Sequence, residues 1–134
     1  MDAGALRDIH PKQKRPVGER LALLALGKVY GEELVCEPPA LSSVLRSGNG
    51  LVLTFTNTGE GLSIKGERLE ALRLTVDGRE ACYTAMVKGD KVILRAERLS
   101  TGGEAEAALA WAPYCRVNLY NSAGLPAKPF IWRG

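Results

Sequence analysis

Short stretches of alternating apolar and polar residues, separated by tight-turn signals, constrain the fold of this chain most strongly. From residue 51 onward the hydrophobic period is two, which is the period of a β-strand with one buried face. The candidate strands are Leu51–Thr56, Leu62–Lys65, Ala71–Val76, Ala81–Val87, Lys91–Arg95, Glu106–Trp111 and Arg116–Tyr120. Asp77-Gly78 and Gly89-Asp90 are hairpin signals between neighbouring candidates. This pattern predicts a mainly β fold, an antiparallel β-sandwich of about seven strands.

One α-helix is predicted ahead of the sandwich, from Pro16 to Tyr30. Val17, Leu21 and Leu24 recur at helical spacing, and proline suits the first helical turn because its missing N–H is not needed there. Gly31 is the expected C-cap. Apolar residues occupy most of the surface of this helix, so it needs cover on more than one side.

Two stretches are predicted to be irregular. Residues 32–50 form a connector, because Pro38-Pro39 disfavours regular structure and Ser47-Gly48-Asn49-Gly50 has the composition of a turn. The segment from Gly124 to Pro129 is also irregular. The final apolar run, Phe130-Ile131-Trp132, is either an edge strand or a docked tail.

Composition excludes several classes of function. At 134 residues the chain is one domain, or one domain with a fragment of another, and its net charge of +3 is too small and too evenly spread to indicate nucleic-acid binding. No apolar run reaches the ~18 residues of a membrane span, and the N-terminal segment shows no signal-peptide pattern. One histidine and scattered carboxylates give no metal-ligand set, and no cofactor is expected.

The three cysteines, Cys36, Cys82 and Cys115, share no close spacing. They do not form a metal-binding pattern, and an odd count leaves at least one thiol unpaired. We expect buried free thiols. A disulfide between Cys82 and Cys115 across neighbouring strands is the alternative.

The only histidine, His10, precedes the predicted helix and stands two residues after Asp8. Pro11 favours an extended conformation for the residue before it, which predicts that His10 lies on a loop. An imidazole beside a carboxylate at a helix entrance suits acid–base chemistry. The alternative is a helix-entry loop whose polar groups satisfy the first backbone N–H groups.

Two blocks of sequence near the ends of the chain carry a family resemblance. The first begins with Asp8-Ile9-His10-Pro11, continues through Val17-Gly18 and Arg20-Leu21-Ala22, and is followed by Tyr30-Gly31. The second contains Trp111-Ala112-Pro113, Asn118-Leu119-Tyr120-Asn121, Gly124-Leu125-Pro126 and Pro129-Phe130. Together they resemble the C-terminal portion of sialate O-acetylesterases, which are carbohydrate esterases on the SGNH hydrolase fold.

The resemblance implies two parts. Residues 1–31 would be the catalytic-histidine loop and terminal helix of an SGNH α/β domain, and residues 32–134 the C-terminal β-sandwich domain. The SGNH helix packs on a parallel sheet that nothing in this sequence matches. Its cover would therefore come from the β-sandwich of this chain, an upstream SGNH catalytic domain, a partner chain or a second copy in a homo-oligomer. Members of the family are secreted, periplasmic or lysosomal.

The resemblance also implies the catalytic roles. His10 would be the base that activates a serine, and Asp8 is the nearest carboxylate that could orient it. In many SGNH enzymes the orienting aspartate lies three residues before the histidine, where this chain has Arg7. The nucleophile block of the family lies far upstream and has no match here. We therefore expect hydrolysis of O-acetyl esters on sialic acid or related sugars by the parent protein, and no esterase activity from this chain alone.

A noncatalytic accessory module is the alternative function. A stacking platform for an acetylated sugar would then be formed by Trp111, Tyr114, Tyr120 and Trp132, although aromatic residues also fill the core and rim of a sandwich. Asn118 and Asn121 would contact sugar hydroxyls, or they would cap turns at a strand end.

Overall fold

The computed structural model describes residues 3, 4, 7 and 12–134. It contains one α-helix, α1 (Arg15–Lys28), and a short 3-10 helix, Glu97–Thr101. The strands are β1 (Ala40–Ser47), β2 (Gly50–Thr56), β3 (Leu62–Ile64), β4 (Leu72–Val76), β5 (Arg79–Glu80), β6 (Thr84–Lys88), β7 (Lys91–Arg95), β8 (Ala105–Leu109), β9 (Leu119–Asn121) and β10 (Phe130–Arg133).

The strands form two antiparallel four-stranded sheets and one short strand pair. We call the sheet with strand order β1-β2-β7-β6 the first sheet, and the sheet with order β10-β8-β4-β5 the second sheet. Strands β3 and β9 pair separately. The predicted mainly β architecture with one N-terminal helix is confirmed, with ten strands in place of about seven.

The core is built from residues at alternate positions on the facing strands. In the first sheet Leu53 lies opposite Val92, and in the second sheet Leu74 lies opposite Ala107. All four side chains are at most 1% exposed. The two layers also meet through one aromatic pair: Phe55 and Phe130 pack edge to face with ring centroids 6.0 Å apart.

The prediction of a connector from residue 32 to residue 50 is wrong, because β1 occupies Ala40–Ser47. The two prolines lie immediately before this strand. The register between β1 and β2 shifts between Leu41 and Ser43, so the strand loses its simple period of two. The expected turn at residues 47–50 is the hairpin that joins β1 to β2.

The predicted strand Ala81–Val87 begins three residues later in the structure. Residues 81–83 carry the chain from the second sheet to the first, so that β5 ends at Glu80 and β6 begins at Thr84. The N–H of Ala81 still donates to the Leu74 carbonyl, 2.9 Å away, which extends the pairing of the second sheet by one residue. The final apolar run is an edge strand, because β10 pairs with β8.

Two predicted hairpin signals lie where expected. Asp77 and Gly78 join β4 to β5 with φ values of 50° and 71°, the left-handed conformation that a two-residue hairpin requires. Gly89, with φ 61°, begins the two-residue connection between β6 and β7. Such short loops fix the register of each strand pair.

Helix α1 ends two residues earlier than predicted, and its C-cap is Val29. Gly31 lies beyond this cap with φ 70°, and the next N–H donates back to the Leu26 carbonyl at 3.1 Å. The described part of the chain buries no residue of the helix: Leu21 is 62% exposed and Leu24 39%. No helix among the described residues is long and apolar enough to cross a membrane.

The helix is connected to the sandwich at its C-terminal end. A Cβ atom on Gly27 would lie 2.5 Å from Cys36 Sγ, so the cysteine side chain packs directly on the helix backbone. Lys28 Nζ lies 3.3 Å from Glu37 Oε2 in a partly exposed ion pair. These contacts hold the last turn of α1 next to the segment that enters β1.

Candidate functional site

The loop between β8 and β9, residues 110–118, carries two of the four aromatic residues that the sequence suggested for glycan contact. The backbone turns out of β8 at Ala110, which has φ 55° and donates its N–H to the Ala71 carbonyl at 2.8 Å. At the other end Asn118 is buried. Its amide donates to the Lys65 and Arg68 carbonyls at 3.0 and 2.8 Å. Both ends of the 110–118 loop are therefore fixed to the sandwich.

A shallow cavity of about 230 Å³ lies between this loop and the outer surface of the second sheet. It is lined by Ala71, Leu72, Arg73, Glu80, Ala108, Trp111, Ala112 and Cys115. The Trp111 side chain is 62% exposed. An exposed indole face next to a concave apolar floor is the kind of surface on which a sugar ring stacks.

Two charged side chains line the same cavity. Arg73 is on β4, and its Nη2 lies 3.7 Å from Glu106 Oε1. Glu80 is on β5 opposite Thr75, and its side chain is exposed. A guanidinium and a carboxylate supply hydrogen-bond donors and acceptors of the kind that sugar hydroxyls need. Neither residue was predicted from the sequence to belong to a site. Their outward positions on neighbouring strands become visible only when the pairing of β4 with β5 is known.

The other three aromatic candidates are not part of this cavity, and Tyr120, on β9, is buried. Tyr114 is in the same loop and 39% exposed, but it is not among the residues that line the cavity. Trp132 is on β10 opposite Ala107 and packs against the core cluster. Its ring also lies against the backbone of Gly134, since a Cβ there would be 2.5 Å from Trp132 Cζ2. The structure therefore does not assemble the four aromatics into one platform.

The catalytic residues suggested by the resemblance, His10 and Asp8, lie outside the described residues. Residues 12–134 contain no histidine, so the described part of the chain holds no serine–histidine pair. Two serines there have structural partners: Ser100 Oγ donates to the Glu97 carbonyl at 2.5 Å, and Ser122 Oγ accepts from the Glu60 N–H at 3.0 Å.

Asn121 caps turns, which is the alternative that the sequence analysis gave beside sugar contact. It is 2% exposed. Its amide nitrogen donates to the Glu37 and Asn57 carbonyls at 3.1 and 2.8 Å, and its Oδ1 accepts from the Ala123 and Leu125 N–H groups at 3.1 and 2.9 Å. With all four bonds made inside the protein, this side chain has no capacity left for a ligand.

Tyr83 lies next to a second, wider depression of about 400 Å³, which also includes Cys82, Arg95 and Arg98. Its hydroxyl donates to the Leu72 carbonyl at 2.8 Å. Burial raises the pKa of the Tyr83 phenol above its ordinary value; the Arg68 guanidinium opposes this rise and Glu80 adds to it. The phenol therefore stays neutral at neutral pH and acts as a hydrogen-bond donor.

Neither metal binding nor a disulfide is visible in the part of the chain that the structure describes. No group of three metal-ligating side chains occurs there. All three cysteines are free. The expectation of buried thiols is wrong for Cys82, which is exposed because residues 81–83 leave one sheet for the other at the surface, while Cys36 and Cys115 are half-buried.

Comparison with known proteins yields a likeness to a solved structure. No protein-family model matches the chain, and no curated protein does. The fold is, however, that of a segment of a solved carbohydrate esterase. That protein is a carbohydrate acetylesterase from Xanthomonas citri, 33% identical to this chain with a TM-score of 0.82. The match covers 98% of this chain and 31% of the acetylesterase, so the chain spans less than a third of that protein.

Proposed function

We propose that this chain is part of a carbohydrate acetylesterase. The observation that carries the proposal is the likeness to the Xanthomonas citri enzyme over 98% of the chain, at 33% identity. At this identity and with a TM-score of 0.82, the two segments share more than a general sandwich architecture. The two sequence blocks near the chain ends support the same class of activity.

The more specific form of the proposal is a C-terminal portion of a sialate O-acetylesterase-like SGNH hydrolase. Residues 1–31 then belong to the hydrolase domain and residues 32–134 form the accessory sandwich. A serine from the hydrolase domain attacks the acetyl carbonyl carbon while His10 removes its hydroxyl proton, and the same imidazole gives that proton to the departing sugar oxygen. His10 then activates water to release acetate. Asp8 orients the imidazole.

The exposed apolar side chains of α1 support the proposal that another layer of protein covers this helix. Val17, Leu21 and Leu24 repeat along the helix and are 47%, 62% and 39% exposed. Apolar side chains repeated along a helix at such exposure are typical of a surface that another element covers. We assign this cover to the upstream hydrolase domain; a second copy of the chain is the alternative occupant.

A chimaera tests the proposal. The matching segment of the Xanthomonas citri acetylesterase is replaced by this chain, and acetate release from nitrophenyl acetate and from O-acetylated sialic acid is measured. The chimaera should be active, and His10→Ala should lower kcat by about a thousandfold or more, as for loss of the base in serine hydrolases. Asp8→Asn should lower kcat less strongly if Asp8 only orients the imidazole. The isolated chain should show no turnover above its own His10→Ala variant.

Three results would contradict this function. A folded but inactive chimaera would contradict the proposal that this chain is part of an esterase. The control is a chimaera that carries the enzyme's own segment. An active chimaera that tolerates His10→Ala would remove the catalytic role of His10. His10-dependent turnover by the isolated chain would disprove the proposal that it needs a serine from elsewhere.

Sugar binding by the sandwich is the second candidate function, and the exposed indole of Trp111 above the Arg73–Glu80 cavity favours it. The test is titration of the isolated chain with O-acetylated sialic acid, followed by tryptophan fluorescence and by NMR. Trp111→Ala should abolish the saturable change. Trp132→Phe is the matched control, because Trp132 lies outside the cavity lining, and it should leave the affinity unchanged. Equal loss from both variants would contradict a site at Trp111.

A further inference from the structure

The outer surface of the first sheet carries a row of four apolar side chains, one from each strand. Leu45 of β1 lies opposite Val52 of β2, Val52 opposite Ile93 of β7, and Ile93 opposite Met86 of β6. Their neighbours along each strand face the core, so all four side chains point away from it. We call this set the apolar row.

The two ends of the apolar row are open to solvent. Leu45 is 66% exposed and Met86 62%, while Val52 and Ile93 between them are half-buried by their neighbours. Adjacent strands are about 4.8 Å apart, so the row extends over about 14 Å between its outer backbones. A contiguous apolar strip on a sheet face is typical of a contact surface, whereas single exposed apolar residues need no explanation.

One row on the outer face of the second sheet has a different composition. This cross-strand row carries Thr75, Glu106 and Arg133. Arg133 Nε lies 2.7 Å from Glu106 Oε2, and Arg73 also contacts this carboxylate. Charged and paired residues thus make up this row of the second sheet, whereas the apolar row of the first sheet contains no charged side chain.

Cations flank the apolar row on both sides. Lys88 and Lys91 lie opposite each other in the next row on one side, and Arg95 lies in the next row on the other side. Asp90 is the one carboxylate paired with this group among the described residues, at 4.0 Å from Lys91 Nζ. The surface is therefore apolar along its centre and carries cations on both margins where these cross β6 and β7.

We propose that the first sheet binds an amphipathic helix that carries carboxylates on both sides of its apolar stripe. A helix of about ten residues is ~15 Å long and presents three apolar side chains on one face, which matches the length of the row. Its acidic flanks meet the lysine and arginine margins. A second copy of this chain fits poorly, since stacking two such faces would bring cationic margins together.

The probe is a fluorescein-labelled peptide of about fifteen residues with leucines at positions i, i+4, i+7 and i+11 and glutamates beside them. A second peptide has lysines in place of the glutamates. Binding is measured by fluorescence anisotropy at about 50 mM and about 500 mM salt, where screening differs strongly. The acidic peptide should bind at least about tenfold more tightly than the lysine peptide at low salt, and high salt should reduce the difference.

Leu45→Ser and Met86→Ser should each weaken binding of the acidic peptide by about tenfold, because each removes one large apolar contact. Leu21→Ser is the matched control: the residue type is that of Leu45 and the exposure, 62%, is close to 66%, but the side chain is on α1. It should leave the affinity unchanged. Since both sheet positions are exposed, the variants should fold, and the thermal midpoint of each verifies this.

Several outcomes would overturn the proposal. Equal affinity for the two peptides would remove the role of the charged margins. Absence of saturable binding by the wild-type chain would remove the site. Loss of affinity in Leu21→Ser as large as in Leu45→Ser would place the binding on α1. Self-association of the wild-type chain in sedimentation velocity that Leu45→Ser abolishes would identify a second copy as the occupant.

Discussion

Asn121 connects three separate segments, so its substitution should be among the most costly in the chain. Its amide nitrogen bonds to the carbonyl of Glu37, ahead of β1, and to that of Asn57, after β2. Its Oδ1 holds the N–H groups of Ala123 and Leu125 in the following turn. Asn121→Ala removes all four bonds in a position that is 2% exposed.

The expected loss in the free energy of unfolding follows from these four hydrogen bonds. Each contributes about 0.5–1.5 kcal/mol net, so the four together bracket about 2–6 kcal/mol. Because bonds to one side chain are not additive and relaxation admits some water, we expect about 3 kcal/mol. That is a large part of the ~5–15 kcal/mol by which domains are usually stable. With an m-value of about 1–3 kcal/mol/M, the urea midpoint should fall by about 1–3 M.

Equilibrium urea unfolding followed by far-UV circular dichroism measures this cost, and Asn49→Ala is the control. Asn49 is exposed in the β1–β2 turn, where a surface substitution costs about 0.5 kcal/mol or less. Asn121→Asp keeps the two acceptor bonds but places a carboxylate oxygen against two carbonyls, so it should be no more stable than Asn121→Ala. If the free energies of unfolding of Asn121→Ala and Asn49→Ala differ by less than about 0.5 kcal/mol, the hydrogen bonds of Asn121 do not stabilise the protein as argued.

Three further predictions concern other parts of the chain. Because burial raises the pKa of Tyr83, the unfolded chain ionises first as the pH rises. The thermal midpoint of the wild-type chain should therefore fall through the alkaline range more steeply than that of Tyr83→Phe; parallel curves would contradict this. Gly18→Ala should stabilise α1 by about 0.5–1 kcal/mol, since nothing lies within 4 Å of the new Cβ, whereas Gly27→Ala should destabilise the protein because its Cβ would lie 2.5 Å from Cys36 Sγ. If urea unfolding shows that both substitutions change the free energy of unfolding in the same direction, the close packing at Gly27 is refuted. Leu53→Ala, at a fully buried position, should cost about 2–5 kcal/mol in the same assay, and a cost under about 1 kcal/mol would be inconsistent with a packed core there.

The sandwich was predictable from sequence where one face of a strand is buried and the turns are short. Strands β2 and β7 show a clear alternation of buried and partly exposed residues, and their predicted bounds agree within one residue. The Asp77-Gly78 turn was visible because only a few residue types adopt left-handed backbone conformations easily. Local pattern and tertiary burial agree in these places.

The errors occur where tertiary structure alters the local pattern. β1 carries a register shift near Ser43 and is an edge strand, so its alternation is obscured. The segment 81–87 reads as one strand because the change of sheets at residues 81–83 leaves its apolar period nearly intact. Helix α1 was recognised from its spacing, but the described part of the chain, the sandwich included, leaves its apolar side chains exposed.

The candidate site was predictable only in part. Trp111 was identified by its residue type, and the structure places it in the open at the edge of a cavity. Trp132 has the same residue type but packs on the core, and the sequence held no signal to separate the two. Arg73 and Glu80 come together through pairing across strands, a relation that periodicity along one strand does not contain.

The anchoring of the 110–118 loop has a consequence for how proteins of this shape can diversify. Ala110 is fixed by the backbone of residue 71, and Asn118 by three hydrogen bonds to residues 65, 68 and 70. The seven residues between these two points contribute only Val117 to the buried interior. Substitutions and insertions in this loop can therefore change what the surface binds without changing the packing of the sandwich.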